Sequence, residues 1–149
     1  MYYRYLEEPD FAEMANLERR LLPDRPESFY RCNPQALRHF ARSGHSFVAA
    51  EDGLHGFVLA QPVWQGDRAT VLVTRIAADS DETCVGLLRA LVKSAYDANA
   101  YEVALLAGDD RSRLLQSAEA AGFESTELKL LARVLGSRGA RGEKSGVLE

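Results

Sequence analysis

Apolar and polar positions follow two different rhythms along this chain, and each change of rhythm marks an element. Tyr2 to Glu8 carries aromatic residues with little helical period and runs into Pro9, which predicts a short strand. Asp10 then stands where a helix N-cap belongs. Phe11, Met14, Ala15, Leu17, Leu21 and Leu22 form an apolar stripe that Pro23 stops, before a Pro-Asp-Arg-Pro loop. The next helix start is marked by Asn33, a good N-cap, and by Pro34, whose missing N–H suits the first helical position. Leu37, Phe40 and Ala41 give its buried face, and Ser43-Gly44 its end. The period then shortens. Phe47 to Ala50 and Gly56 to Ala60 flank Asp52-Gly53, two residues that tolerate positive φ, so they predict a hairpin. Ala69 to Ala78, rich in Val, Thr and Ile, follows the Gln65-Gly66-Asp67 turn as a third antiparallel strand.

After Asp79-Ser80-Asp81-Glu82-Thr83 a helix runs to about Asn99, with Val85, Leu88, Leu91, Val92 and Ala95 as its core face. The acidic stretch lies at its N-terminus, where the helix dipole favours carboxylates. Tyr101 to Ala107 is an apolar run of strand length that reads as buried. Ser112 to Ala121 is a fourth helix, with Gly122 as its C-terminal cap. Glu127 to Leu135 predicts a last strand, and 136–149 is a charged, Gly-rich tail. The order β-α-α-β-β-β-α-β-α-β predicts an α/β (α+β) domain over 1–135. Its mixed sheet has an antiparallel part followed by a strand-helix-strand unit that crosses over right-handed.

At 149 residues and 46% hydrophobic, the chain has material for one core. Its 18 Lys and Arg against 22 Asp and Glu leave a formal net charge of −4. That balance argues against nucleic-acid and anionic-membrane partners, both of which need a basic face. No apolar run approaches the roughly 18 residues that span a bilayer, and Met1-Tyr2-Tyr3-Arg4-Tyr5 lacks the apolar region of a secretion signal. The expectation is a cytoplasmic protein. Cys32 and Cys84 are far apart, and neither they nor His39, His45 and His55 show ligand spacing, so reduced thiols and no metal are expected.

Several phrases, in this order, resemble the GCN5-related N-acetyltransferase (GNAT) superfamily over almost the whole chain to about Gly136. Phe47-Val48-Ala49-Ala50-Glu51-Asp52-Gly53 with Gly56-Phe57-Val58-Leu59 is similar to that family's central hairpin. Gly86-Leu87-Leu88 with Tyr101-Glu102-Val103-Ala104-Leu105 is similar to its crossover helix and next strand, and Ala120-Ala121-Gly122-Phe123 to the end of its penultimate helix. The resemblance implies acetyl-CoA as cofactor, entering between two parallel strands. Its pantetheine arm would bond the third hairpin strand near Thr74 and Ile76. Its pyrophosphate would sit on an R-x-x-G-x-G/A loop at the helix start, here Thr83, Cys84, Val85 and Gly86. Glycines in such a loop let backbone N–H groups approach phosphate.

The chain departs from that pattern where the chemistry is. Asp79, Glu82 and Cys84 stand at the Arg and the two Gly positions. A carboxylate about 4 Å from a phosphate charge costs about 1 kcal/mol in water and about 4 at an effective dielectric near 20. Loss of a charged hydrogen bond adds roughly 1.5 to 3 kcal/mol. Affinity for a CoA-type ligand would fall by a factor on the order of a hundred to ten thousand, unless a cation or a shifted loop compensates. Ala118 replaces the Tyr that protonates the departing thiolate in many relatives, and Arg111 replaces an Asn. Ser117 is the nearest hydroxyl. Only Glu51 or His55, acting through water, offers a base.

Other side chains allow two readings each. Arg75, the one charge within Ala69 to Ala78, either snorkels or binds an anion in the cleft. Cys84 is a packed thiol or a dipole-activated one, and Trp64 packs on the hairpin or lines a binding surface. Tyr2, Tyr3 and Tyr5 pack along the first strand, and Asp109-Asp110-Arg111 is a solvated turn that caps the last helix or a seat for a cation. Two functions follow. One is a divergent acyl-CoA-dependent N-acyltransferase acting on a small-molecule amine or a protein. The other is a non-catalytic binding or interaction module, with homodimerisation as one form. No catalytic residue is assigned.

Overall fold

The computed structural model describes residues 1–22, 33–108, 111–133 and 135. Its sheet has five strands in sequence order: β1 (Tyr2–Tyr5), β2 (Phe47–Ala50), β3 (Leu54–Trp64), β4 (Ala69–Ala78) and β5 (Glu102–Leu105). β1 to β4 pair antiparallel, and β5 joins β4 in parallel after the crossover helix. The helices are α1 (Phe11–Leu21), α2 (Pro34–Arg42), α3 (Asp81–Asp97) and α4 (Ser112–Ala120). Two buried clusters lie on opposite faces of the sheet. Met14, Leu17, Leu37 and Phe40 of α1 and α2 meet Val48, Phe57 and Leu59. Leu87, Leu88 and Leu91 of α3 and Leu114 and Ala118 of α4 meet Val58, Val71, Val73 and Ile76.

Local signals account for most boundaries. Asn33 caps α2, accepting from the Ala36 N–H at 2.9 Å with Pro34 in the first turn. Asp52 and Gly53 turn the β2–β3 hairpin with φ of 54° and 113°. The β3–β4 hairpin extends further than the apolar runs alone indicate, because β3 continues through Pro62 to Trp64 opposite Val71 to Ala69. Trp64 is 69% exposed there, so it does not pack over the hairpin.

Several expectations need correction. β1 ends at Tyr5, and Glu8–Asp10 is a short 3-10 turn. Asp10 does not cap α1: its carboxylate accepts from the Glu7 N–H at 2.9 Å and from both terminal nitrogens of Arg4. α3 already begins at Asp81, inside the acidic stretch, because Ser80 is the N-cap. Its buried face is Cys84, Leu87, Leu88, Leu91 and Ala95, which leaves Val92 exposed. β5 is only partly buried. The described residues of 127–135 form no strand. Pro23, Cys32, Asp109, Asp110 and the 136–149 tail lie outside the described residues.

Candidate functional site

The sheet opens between its two parallel strands. β4 pairs with β5 only from Thr70 to Val73, with the Leu106 N–H still reaching the Val73 carbonyl at 3.4 Å. At this point the β3–β4 ladder slips, with Leu59 opposite Arg75 and Ala60 opposite Val73. Thr74 is therefore the extra residue of a bulge, and its hydroxyl donates to the Leu59 carbonyl. Bulges bend the strand that carries them. β4 thus runs on through Ile76 to Ala78 without β5 beside it. Arg111, just before α4, fills part of the gap: both its terminal nitrogens stand 3.4 Å from the Ile76 carbonyl.

The start of α3 closes the other end of this opening, after a connection of only Asp79 and Ser80. Ser80 Oγ accepts from the Thr83 N–H at 3.1 Å and donates to Thr83 Oγ1 at 2.9 Å, so one first-turn amide is already satisfied. Asp79 turns back toward β3, where its Oδ2 accepts from His55 Nδ1 at 2.6 Å. His55 Nε2 lies 2.8 Å from the Glu51 carbonyl. A carbonyl and a carboxylate only accept, so both ring nitrogens donate and His55 is an imidazolium. Its pKa is raised above the usual 6.5, first by Asp79 and then by the Glu51 carbonyl. Asp81 is paired with Arg113 of α4 at 3.1 Å on the surface. Glu82 has no hydrogen bond or ion pair among the described residues.

Beside this start lies an open cleft of about 680 Å³, between Asp81, Glu82, Val85, Gly86 and Arg89 of α3 and Gln116 and Ala120 of α4, with Tyr3 at its edge. A Cβ on Gly86 would overlap the Tyr3 ring, so this glycine makes room for β1. Burial, with Glu82 and Glu51 nearby, pushes the Tyr3 phenol up.

The sequence-marked residues are distributed as follows. Thr74 and Ile76 are buried on β4 past its last pair with β5. Thr83 and Cys84 are buried in the first turn of α3, and Val85 and Gly86 face the cleft. Cys84 is a packed thiol, pushed up by burial against the opposing hydrogen bond from Ser117 and the charge of Arg111. Ser117 is buried rather than solvated, and Ala118 is buried in the core. Glu51 binds the N-terminal amine at 3.1 Å. Arg75 neither snorkels nor enters the cleft: its Nε donates to Glu18 Oε1 of α1 at 2.6 Å, with both side chains buried. Of the three tyrosines of β1, Tyr5 stacks on Phe47 at 4.7 Å between ring centroids and Tyr3 packs against α3 at Gly86, whereas Tyr2 is 77% exposed.

Sequence reasoning missed the Arg111 contact and the His55–Asp79 pair. Arg111 carried no signal beyond standing in place of an Asn. The pair joins residues 24 apart that meet only through the β3–β4 register, in which Gly56 faces Ala78. Among the described residues no group of His, Cys, Asp and Glu is arranged to hold a metal, and no helix is long and apolar enough to cross a membrane.

Residues 1–145 match the model of a family described as "Protein of unknown function (DUF1999)". The crystal structure of wild-type TTHA1254 from Thermus thermophilus is 50% identical, with a TM-score of 0.77 over 93% of this chain and 100% of that one. Ribosomal-protein-alanine N-acetyltransferase from Brucella melitensis biovar Abortus 2308 is 17% identical, with a TM-score of 0.69 over 90% of this chain and 100% of its own. Aminoglycoside N-acetyltransferase AAC(6')-Iy in complex with CoA is 19% identical, with a TM-score of 0.68 over 89% and 93%. No curated protein matches the sequence. At such identities the two acetyltransferases show the shared fold and nothing finer. The chain belongs to the DUF1999 family of proteins of unknown function and is built on the GNAT fold of the acetyltransferases.

Proposed function

We propose that this protein uses the GNAT frame as a cytoplasmic binding module, without acetyl-CoA-dependent acetyl transfer in its usual form. The observation that carries this reading is the Arg111 guanidinium on the Ile76 carbonyl, the strand edge that a pantetheine arm would have to bond. The proton-transfer groups point the same way. His55 donates from both nitrogens and has no lone pair for a proton, and the position of a thiolate-protonating Tyr is the buried Ala118. With Glu82 at its mouth and no ion pair on it among the described residues, the cleft suits a small amine or a protein segment. The net charge of −4 argues against nucleic acid and membrane as partners.

A second reading, a divergent acyl-CoA-dependent N-acyltransferase, is favoured by the free edge of β4 beyond Thr74. Under it, Arg111 leaves Ile76 to meet the phosphates. Pantetheine takes the backbone of Thr74 and Ile76, and the phosphates sit on Thr83, Cys84, Val85 and Gly86. Thermal denaturation with acetyl-CoA separates the two, since a ligand at 100 times its dissociation constant adds about 2.7 kcal/mol of apparent stability. The binding-module reading expects no stabilisation at millimolar acetyl-CoA. Saturable stabilisation that Arg111→Ala abolishes would overturn it in favour of the acyltransferase.

A further inference from the structure

Glu82 and Arg89 lie on one side of α3, seven residues apart, so two turns and about 10 Å along the axis separate them. Helical ion pairs form one turn apart, at a spacing of three or four residues. One turn on from Glu82, and one turn back from Arg89, stand the same two residues, Val85 and Gly86. The two charges are therefore too far apart to neutralise each other. Between them α3 presents a strip that is apolar and low, since Gly86 has no side chain.

Neither charge is matched elsewhere. Among the described residues Glu82 and Arg89 make no hydrogen bond or ion pair, and both are exposed. Their charged neighbours are already occupied: Asp81 pairs with Arg113 at 3.1 Å and Lys93 with Asp97 at 2.6 Å. The strip belongs to the cleft of about 680 Å³, which Tyr3 and, from α4, Gln116 and Ala120 also line. The Tyr3 hydroxyl and the Gln116 amide have no hydrogen bond among the described residues either, so each is available to a bound molecule. A carboxylate and a guanidinium, both unmatched, at the two ends of one apolar trough fit a ligand with the opposite charges at its own two ends.

We propose that this cleft takes an extended zwitterion, an ω-amino acid or a short peptide with free ends, with its ammonium group on Glu82 and its carboxylate on Arg89. The proposal names the ligand class of the cleft and rests on the reading of that cleft as the binding site. An α-amino acid does not satisfy both ends, because its two charged groups are bonded to one carbon. A simple amine leaves Arg89 without a partner. A guanidinium takes a carboxylate through two parallel N–H donors, so Arg89 supplies orientation as well as charge.

Titration of the nitrogen-15-labelled full chain with 6-aminohexanoate, hexylamine and hexanoate, followed by amide chemical shifts, tests it, because the three probes share a carbon chain and differ in their charged ends. The zwitterion is expected to shift the amides of Val85, Gly86 and Gln116 and to bind at least fivefold more tightly than either singly charged probe. Arg89→Gln should erase its advantage over hexylamine, and Glu82→Gln its advantage over hexanoate. Both residues are exposed, so the two variants should keep the wild-type spectrum away from the cleft. Glycylglycine, which offers a peptide group to Tyr3 and Gln116, is titrated beside 6-aminohexanoate; the tighter binder tells whether peptides or ω-amino acids supply the zwitterion, and either order supports the proposal. Equal affinity for hexylamine and 6-aminohexanoate, unchanged by Arg89→Gln, would overturn it and leave the amine-binding cleft standing. Shifts confined to residues outside the cleft, or none with any probe at high millimolar concentration, would also overturn it, and the binding-module reading would then rest on the acetyl-CoA measurement alone.

Discussion

Replacing His55 by Gln removes an imidazolium that joins the β2–β3 turn to the start of α3, and its effect should depend on pH with a definite sign. The folded pKa of His55 lies above 6.5, raised by the Asp79 carboxylate and the Glu51 carbonyl. The stability it contributes is therefore fully present below about pH 6.5 and is lost as pH rises through the raised folded value. The side chains of His55 and Asp79 are 34% and 30% exposed, so solvent screening holds the contribution to the range of exposed pairs, about 0.2 to 1 kcal/mol. For a domain of this size 1 kcal/mol corresponds to roughly 2 to 4 °C in Tm. The wild-type curve alone is not diagnostic, because His45 has the opposite sign. Its ring is buried and donates from Nδ1 to Ser94 Oγ, whose own proton goes to the Gly44 carbonyl; burial lowers its pKa. His45 thus contributes stability above about pH 6.5 that is lost as pH falls through its lowered folded value. The difference in Tm between wild type and His55→Gln cancels the His45 contribution. Measured by circular dichroism from pH 5 to 9, it should be largest at the acid end, by up to about 4 °C, and shrink as pH rises. A difference that is flat, or that grows with pH, would refute the double-donor assignment of the ring.

Two further substitutions probe packing around the same opening. Gly56→Ala would set a Cβ 2.7 Å from the Ala77 carbonyl oxygen and 3.1 Å from Ala78 Cα, neighbours that are backbone and cannot swing away; chemical denaturation should show a loss of about 1 to 3 kcal/mol, and an unchanged midpoint would mean that β3 and β4 stand further apart at this pair. Glu18→Leu removes the carboxylate that Arg75 meets at 2.6 Å inside the fold, at a cost on the order of 3 kcal/mol, of which Arg75→Met in the same chain should restore part. Additive losses in that double variant would show the pair to be uncoupled.

The sequence makes local structure legible wherever a short-range signal decides it. Asn33-Pro34 and Asp52-Gly53 each name a backbone conformation, and the structure adopts both. Ala69 to Ala78 has the bounds its pattern predicts, because an apolar β-branched run can end only at its turns. The misses share a cause. Asp10, Arg75, Asp79 and Ser117 are polar groups whose partners, Arg4, Glu18, His55 and Cys84, lie on other elements or across a turn, and periodicity is silent about pairing. Ser80 illustrates the limit: the acidic residues around it read as a charged loop, yet the hydroxyl alone decides that the helix begins at Asp81. The pattern of 127–133 has a strand period, yet the described residues form no strand there, because a period alone supplies no pairing partner.

That distinction between charge and geometry decides how the start of α3 should be understood. Carboxylates at Asp79, Asp81 and Glu82 suggest a strongly negative mouth, but Asp79 is matched by the His55 imidazolium and Asp81 by Arg113, with only Glu82 uncompensated. Arg89 and Arg111 add positive charge nearby. Repulsion is thus a smaller obstacle to a diphosphate than the sequence indicates. Geometry is the larger one. A helix offers four unpaired N–H groups at its start, and here the Thr83 amide is taken by Ser80 Oγ. The amides of Ser80, Asp81 and Glu82 are the other three. No glycine stands between Ala78 and Val85, and Gly86 is used to seat Tyr3. A dianion needs several amides converging on bare backbone. This helix start has at most three such amides and no glycine on whose bare backbone they could converge.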